Sequence, residues 1–102
     1  MDEEMIMKAS GMLKVLADPT RLRILMTLEE GEFNVTELAE KLDLEQSALS
    51  HQLKILKTER LVTTRRDGRS IYYAPEDMHI YNILAQLRDH MAEEVPLQRE
   101  GS

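Results

Sequence analysis

The chain has 102 residues, a net charge of −6 and no cysteine. Its length suits a single domain, and the lack of cysteine excludes disulfides, thiolate metal ligands and thiol redox switches. No apolar stretch approaches the roughly 20 residues of a membrane span, and the acidic start, Met1 to Glu4, differs from the basic start of a signal peptide. These features predict a soluble cytoplasmic protein without a membrane partner.

Two helices are predicted at the start of the chain. Apolar residues recur at helical spacing over residues 4–16, which predicts the first helix. Asp18 is a good N-cap, and Pro19 suits the first turn of a second helix. Gly31 is the expected stop of that helix, because glycine readily adopts the left-handed conformation that ends helices.

Two further helices are predicted around a tight connection. Asn34 and Glu37 have the spacing of a capping box, which predicts a short helix over residues 35–42. Another helix is expected from about Gln46 to Thr58. Glu45 breaks the local pattern, because Ser, Thr or Asp would make a better N-cap at that position.

A hairpin and a last helix complete the domain. Residues 61–66 are rich in strand formers, and residues 69–74 form the expected return strand. Asp67 and Gly68 between them are a strong signal for a two-residue turn. The last helix is predicted from residue 76 or 77 to about residue 94.

The order helix, tight turn, helix and hairpin predicts a mainly α fold with a β-hairpin wing, a winged helix-turn-helix. The domain is expected over residues 1–95, with residues 96–102 as a disordered tail. In this fold the second helix of the pair enters the DNA major groove.

Residues 51–75 carry a net charge of +4, against −6 for residues 1–50 and −4 for residues 76–102. A basic island in an acidic chain fits local contact with phosphates.

The outward side of the helix that begins at Gln46, together with the hairpin arginines, is the predicted DNA-binding surface. Glutamine, serine and lysine side chains reach base edges or phosphates, and the arginines would reach the backbone or the minor groove. Each residue alone is equally consistent with an ordinary polar surface, but their grouping favours DNA binding. His51 lies among them, so a DNA contact is favoured over a metal ligand there. The predicted residues are Gln46, Ser47, Ser50, His51, Lys54, Arg65, Arg66 and Arg69.

Several segments resemble the ArsR/SmtB family of metal-sensing repressors. They are residues 16–25 (LADPTRLRIL), 37–39 (ELA), 50–56 (SHQLKIL), 61–69 (LVTTRRDGR) and the pair Tyr72-Tyr73. The similarity covers about residues 8–93. It implies a homodimer, with dimerisation helices at both ends of the domain, that represses an operator overlapping a metal-resistance or efflux gene. It also implies release from that operator when metal binds.

Four residues near the ends of the last predicted helix are candidate metal ligands: Asp77, His79, His90 and Glu93. Histidine nitrogens and carboxylates suit zinc. His90 and Glu93 are three residues apart and share a helix face, and Asp77 in a cap conformation can converge with His79. His79 and His90 also share a face, but eleven residues of helix separate them by about 16 Å.

One ion cannot join both histidines of one helix, because zinc–nitrogen bonds are near 2 Å. The pattern therefore predicts two copies of the helix paired antiparallel, so that Asp77 and His79 of one subunit meet His90 and Glu93 of the other. Two-fold symmetry then gives two zinc ions per dimer, with cobalt or nickel as alternatives. The family's zinc sensors have a similar last-helix site, Asp-x-His followed by His-x-x-Glu or His-x-x-His.

Other readings stay open at this level. A winged-helix repressor could answer to a non-metal signal, and a winged-helix module could bind proteins rather than DNA. An enzyme is not expected, because the chain has no HExxH pair, no nucleophile system and no glycine-rich phosphate loop. A small organic substrate is not expected either.

Overall fold

Five helices and three strands make up residues 1–93, the part of the chain that the computed structural model describes. The elements in chain order are α1 (Glu3–Leu16), α2 (Pro19–Leu28), β1 (Phe33–Asn34), α3 (Val35–Leu42), α4 (Gln46–Thr58), β2 (Val62–Asp67), β3 (Ser70–Pro75) and α5 (Met78–Ala92). The predicted helices are confirmed to within about two residues. The predicted tail, residues 96–102, and the last two residues of the predicted domain lie outside the described residues.

Side-chain caps fix where several helices begin. The Asp18 carboxylate accepts a hydrogen bond from the backbone N–H of Arg21 at 2.9 Å. Asn34 and Glu37 form the reciprocal capping box, with bonds of 2.8 and 2.9 Å. Within the described residues, Glu45 precedes α4 without any side-chain capping bond, as its long side chain predicts.

The wing belongs to a three-stranded antiparallel sheet of order β1-β3-β2. The strand β1 was not predicted from the sequence, because two residues are too short to display a strand period. The turn position was also wrong by one residue. The ladder continues to the pair Asp67 and Ser70, so the two-residue loop is Gly68-Arg69. Gly68 has φ 67°, which suits the first turn position of a type II′ hairpin.

The core lies between the helices and the base of the wing. The inner face of α4, predicted from its leucines, is fully buried and leaves the opposite side of the helix in solvent. Tyr81 of α5 also enters the core, and its hydroxyl donates a 2.8 Å hydrogen bond to the backbone oxygen of Leu61. This bond ties α5 to the residue that leads from α4 into the wing. The buried apolar residues are Leu16, Ile24, Leu25, Leu28, Leu38, Ala39, Leu49, Leu53, Leu56, Leu61, Val62, Tyr81 and Leu84.

The apolar faces of α1 and α5 are only partly used within one subunit. On α5 the predicted stripe divides: Leu84 is buried, whereas Ile83, Leu87 and Met91 are exposed. On α1 only Leu16 is buried. Exposed apolar residues on both terminal helices mark a surface that another protein surface can cover.

Among residues 1–93, no helix combines the length and apolar character needed to cross a bilayer.

Candidate DNA-binding surface and metal half-sites

The outer side of α4 carries the polar residues that the sequence predicted to meet DNA. Gln46, Ser47, Ser50, His51 and Lys54 are all exposed. Packing of the leucine face against the core holds the helix in place, so these side chains project from a fixed support. The helix also begins with free N–H groups, because Glu45 supplies no cap in the described chain.

A contact between the two helices of the pair was not foreseen. The Gln46 side-chain amide lies 3.4 Å from the Thr36 hydroxyl of α3 and donates to it. Thr36 is exposed and sits in the first turn of its helix, beside the start of α4. The hydroxyl therefore belongs with the predicted DNA-facing residues, although only the folded arrangement brings it there.

The three wing arginines differ in how far their charges are compensated. Arg65 Nε donates to Glu32 Oε1 at 2.8 Å, and the guanidinium lies 5.0 Å from the centre of the Tyr72 ring. The hydrogen bond and the charge of Glu32 raise the pKa of Arg65 above its usual value. Arg66 and Arg69 are exposed, and within residues 1–93 neither forms an ion pair. The uncompensated positive charge of the wing is thus concentrated on these two residues.

Asp77 and His79 come together at the start of α5. Asp77 is the N-cap, with extended backbone angles (φ −128°, ψ 126°). Its Oδ1 accepts hydrogen bonds of 2.7 Å from both the backbone N–H and the ring Nδ1 of His79. These two bonds lower the pKa of the Asp77 carboxyl. The cap conformation expected from the sequence therefore brings the two side chains together.

His90 and Glu93 lie at the other end of α5. His90 is in the last turn, and Glu93 is the C-cap with an extended backbone (φ −64°, ψ 135°). The Glu93 N–H donates to the His90 carbonyl at 3.3 Å. The helical φ and this hydrogen bond keep the Glu93 Cα on the last turn, three residues from His90, and the extended ψ ends the helix there. Both residues are exposed.

The two pairs of candidate ligands, hereafter the N-terminal and C-terminal half-sites, remain separate in one subunit. Among the described residues, no three histidines or carboxylates gather in a metal-binding group. At 100° per residue, His79 and His90 lie within about 20° of each other around α5 and are separated by about 16 Å along it. Ile83 lies between them, and the stripe continues to Leu87 and Met91. Both half-sites therefore border the exposed apolar stripe.

The second helix of a helix-turn-helix pair, here α4, is called the recognition helix. An exposed recognition helix beside a basic hairpin defines the class of winged helix-turn-helix transcription regulators. A sequence profile described as "Bacterial regulatory protein, arsR family" matches residues 18–64. The chain is 45% identical over 78 residues to the "Transcriptional repressor SmtB homolog" of Synechocystis sp., covering 76% of this chain and 59% of that protein. It is 41% identical over 90 residues to the "HTH-type transcriptional regulator NmtR" of Mycobacterium tuberculosis, covering 88% of this chain and 75% of that protein.

A solved structure from Mycobacterium bovis extends the comparison to the fold. It is described as a homodimeric winged helix-turn-helix DNA-binding domain, and it superposes with a TM-score of 0.81 at 27% identity. The superposition covers 91% of this chain and 86% of that one. The chain belongs to the ArsR/SmtB family of transcriptional regulators. The predicted family, winged-helix fold and non-enzymatic nature are confirmed.

Proposed function

We propose that this protein is a zinc-responsive repressor that binds operator DNA as a homodimer and leaves it when zinc binds. The observation that carries the proposal is the arrangement of α5. Two pairs of zinc-type ligands lie at opposite ends of the helix, and both border an apolar stripe that one subunit leaves exposed.

A second copy of the chain is the occupant proposed for the exposed stripe. Ile83, Leu87 and Met91 offer α5 a contact surface, and the exposed Ile6 and Leu13 of α1 offer another. If two α5 helices pack antiparallel, the N-terminal half-site of one lies beside the C-terminal half-site of the partner. Two-fold symmetry makes two equivalent sites. The apolar stripe and the ligand spacing then have one common explanation.

The residues fit a zinc ion in kind and number. Two imidazoles and two carboxylates complete a tetrahedral shell, and a closed shell of this kind is typical of structural or regulatory zinc rather than catalytic zinc. Since Asp77 accepts the Nδ1 proton of His79, Nε2 is the ring nitrogen left for a metal. Asp77 Oδ1 already accepts two hydrogen bonds, so Oδ2 is the carboxylate oxygen that remains available to a metal ion. Cobalt and nickel suit the same donors.

DNA binding is assigned to the exposed side of α4, with Arg66 and Arg69 on the wing. Bound zinc would hold the two α5 helices in one relative position. The Tyr81 hydroxyl joins α5 to Leu61, which follows α4, so a shift of α5 reaches the DNA-reading helix through a short path. Zinc can weaken DNA binding only by its difference in affinity for the two arrangements.

Zinc titration against a labelled operator tests the proposal. The operator is first selected by the zinc-free protein from a random-sequence DNA pool. We expect two zinc ions per dimer by metal analysis and a loss of operator affinity as zinc is added. Asp89→Ala removes an exposed carboxylate of α5 outside both half-sites and should leave zinc binding intact, whereas His90→Ala should abolish it. Operator affinity that rises or stays constant with zinc would refute the proposed switch.

Subunit mixing tests whether the ligands are shared. Neither His79→Ala nor His90→Ala alone retains a complete site, but the mixed dimer retains one. With random subunit exchange, about a quarter of the wild-type zinc capacity should return. If the mixture binds no more zinc than its components, the ligands do not come from two subunits.

A winged-helix regulator that answers to a non-metal signal is the second candidate. It is favoured by the fact that Asp77 already has a complete structural role, since it caps α5 and holds His79. This candidate predicts DNA binding that does not change with zinc and a purified protein without stoichiometric metal. Because the chain has no cysteine, its signal would not be the oxidation of a thiol.

A further inference from the structure

Arg21 joins three helices through its side chain and backbone. Its Nε donates to the Gln52 side-chain oxygen of α4 at 2.9 Å, and its Nη1 donates to the Val15 carbonyl of α1 at 3.1 Å. Its own N–H is held by Asp18 at the start of α2. All of these bonds are partly buried, so solvent competes with them less than with surface contacts.

The bond to Val15 anchors Arg21 to the end of α1. Val15 is in the last turn of that helix, where carbonyl groups have no partner within the helix. A guanidinium there satisfies such a carbonyl and also faces the negative end of the helix dipole. Since α1 carries exposed apolar residues proposed to contact a second subunit, Arg21 is attached to a helix whose position depends on dimer formation.

The bond to Gln52 anchors the same side chain to the recognition helix. Gln52 is partly buried and lies beside the leucine face of α4, about 100° around the helix from His51. Gln52 therefore flanks the exposed DNA-facing side without belonging to it. Within residues 1–93, Arg21 provides the one side-chain hydrogen-bond path from α1 to α4.

We infer that Arg21 and Gln52 are positioning residues for DNA recognition: they set the orientation of α4 relative to α1, and thereby relative to the recognition helix of the other subunit. This inference rests on the proposed function, because it requires a DNA-binding dimer. A dimer reads two half-sites about one helical turn apart. A small rotation of α4 against α1 is thus doubled by symmetry and moves both helices away from their base contacts.

A double-mutant cycle on operator binding tests the inference. Gln52→Met keeps the side-chain volume and removes the acceptor, and Arg21→Met removes both donated bonds. We expect Gln52→Met to weaken binding to the selected operator about tenfold while binding to unrelated DNA stays the same. In the Arg21→Met background, Gln52→Met should cause no further loss, because the bond it removes is already absent. Dimer mass, measured by light scattering, should match wild type.

Two further variants keep the test informative if Arg21→Met does not fold. Arg21→Lys retains the charge but cannot hold both acceptors in the arginine geometry, so it should also reduce operator selectivity. Gln52→Glu retains an acceptor for Arg21 and should keep selectivity for the operator over unrelated DNA near the wild-type ratio. Wild-type operator affinity in Gln52→Met, or losses that add in the double variant, would overturn the inference.

The wild-type measurements separate this inference from the proposed function. Sequence-selective binding that does not respond to zinc would refute the zinc switch and leave the Arg21 cycle fully interpretable. A wild-type protein without any sequence-selective DNA binding would refute both. A zinc-responsive wild type with an unaffected Gln52→Met variant would refute the positioning role alone.

Discussion

Removal of the Tyr81 hydroxyl should change both the stability of the protein and its dependence on pH. The ring is 1% exposed, and the hydroxyl donates a 2.8 Å bond to the Leu61 carbonyl. Tyr81→Phe deletes one buried oxygen. The Leu61 carbonyl keeps a second donor, the Glu76 N–H at 3.3 Å, so it is not left without a partner. We therefore expect a cost at the lower end for a buried hydrogen bond, about 0.5–1 kcal/mol at pH 7.

The dependence of the free energy of unfolding on pH above pH 10 provides the sharper part of this prediction. Burial, with a smaller contribution from the charge of Glu29, raises the pKa of Tyr81 well above the ordinary value near 10. Above pH 10 the unfolded chain releases the tyrosine proton while the folded protein retains it. The stabilisation is therefore complete below about pH 10 and falls by up to about 1.4 kcal/mol per pH unit above it. The phenylalanine variant lacks this loss, so its deficit should shrink above pH 10 and be reversed by pH 11.

Urea unfolding followed by far-UV circular dichroism measures both effects. Wild type and Tyr81→Phe are compared at pH 7, 9, 10.5 and 11 at one protein concentration, because dimer formation makes stability depend on concentration. Tyr72→Phe is the control, since it removes a hydroxyl from a half-buried ring of the wing. A stability difference between wild type and Tyr81→Phe that stays constant from pH 7 to 11 would refute the reasoning.

Three other substitutions probe separate features. Leu87 is 50% exposed in one subunit, and burial of this exposed surface in a dimer contributes about 1 kcal/mol from each of the two copies. Leu87→Gln should therefore raise the dimer dissociation constant, measured by sedimentation, about 30-fold. An unchanged constant would place the interface elsewhere. Glu45→Asp supplies the missing cap of α4 and should add about 0.5–1 kcal/mol to the free energy of unfolding, whereas Glu45→Gln should add nothing; equal values contradict the cap. Asp43 has φ 56°, a left-handed conformation that glycine adopts more easily than alanine. The Asp43→Gly variant should therefore be more stable than Asp43→Ala by about 1 kcal/mol. The reverse order would show that backbone strain does not determine the stability of variants at this position.

The helices could be predicted because their signals are local. Asp18, Asn34 and Glu37 act within three residues of the groups they cap. The Asp77–His79 pair is likewise local, so the sequence was enough to find it. The strand β1 could not be found in this way, since Phe33 and Asn34 become a strand only by pairing with β3, about 40 residues later.

The side-chain links missed by the sequence analysis are also long-range. Arg21 and Gln52 are 31 residues apart, and Glu32 and Arg65 are 33 apart. No pattern within either segment announces its partner. The meeting of the two half-sites across subunits is the same kind of contact between two chains, and it stays a prediction.

The Glu32–Arg65 ion pair has a consequence for how salt would affect DNA binding. A cation that enters a DNA complex usually displaces a condensed counterion, and the logarithm of affinity falls with the logarithm of salt concentration in proportion to the number displaced. Arg65 would exchange a carboxylate for a phosphate, and the freed Glu32 would gather a cation from solution. The net contribution of Arg65 to ion release is then close to zero. Of the three wing arginines, only Arg66 and Arg69 should therefore contribute to the slope of log affinity against log salt concentration. The number of wing cations inferred from that slope would be two, although the sequence of the wing contains three arginines.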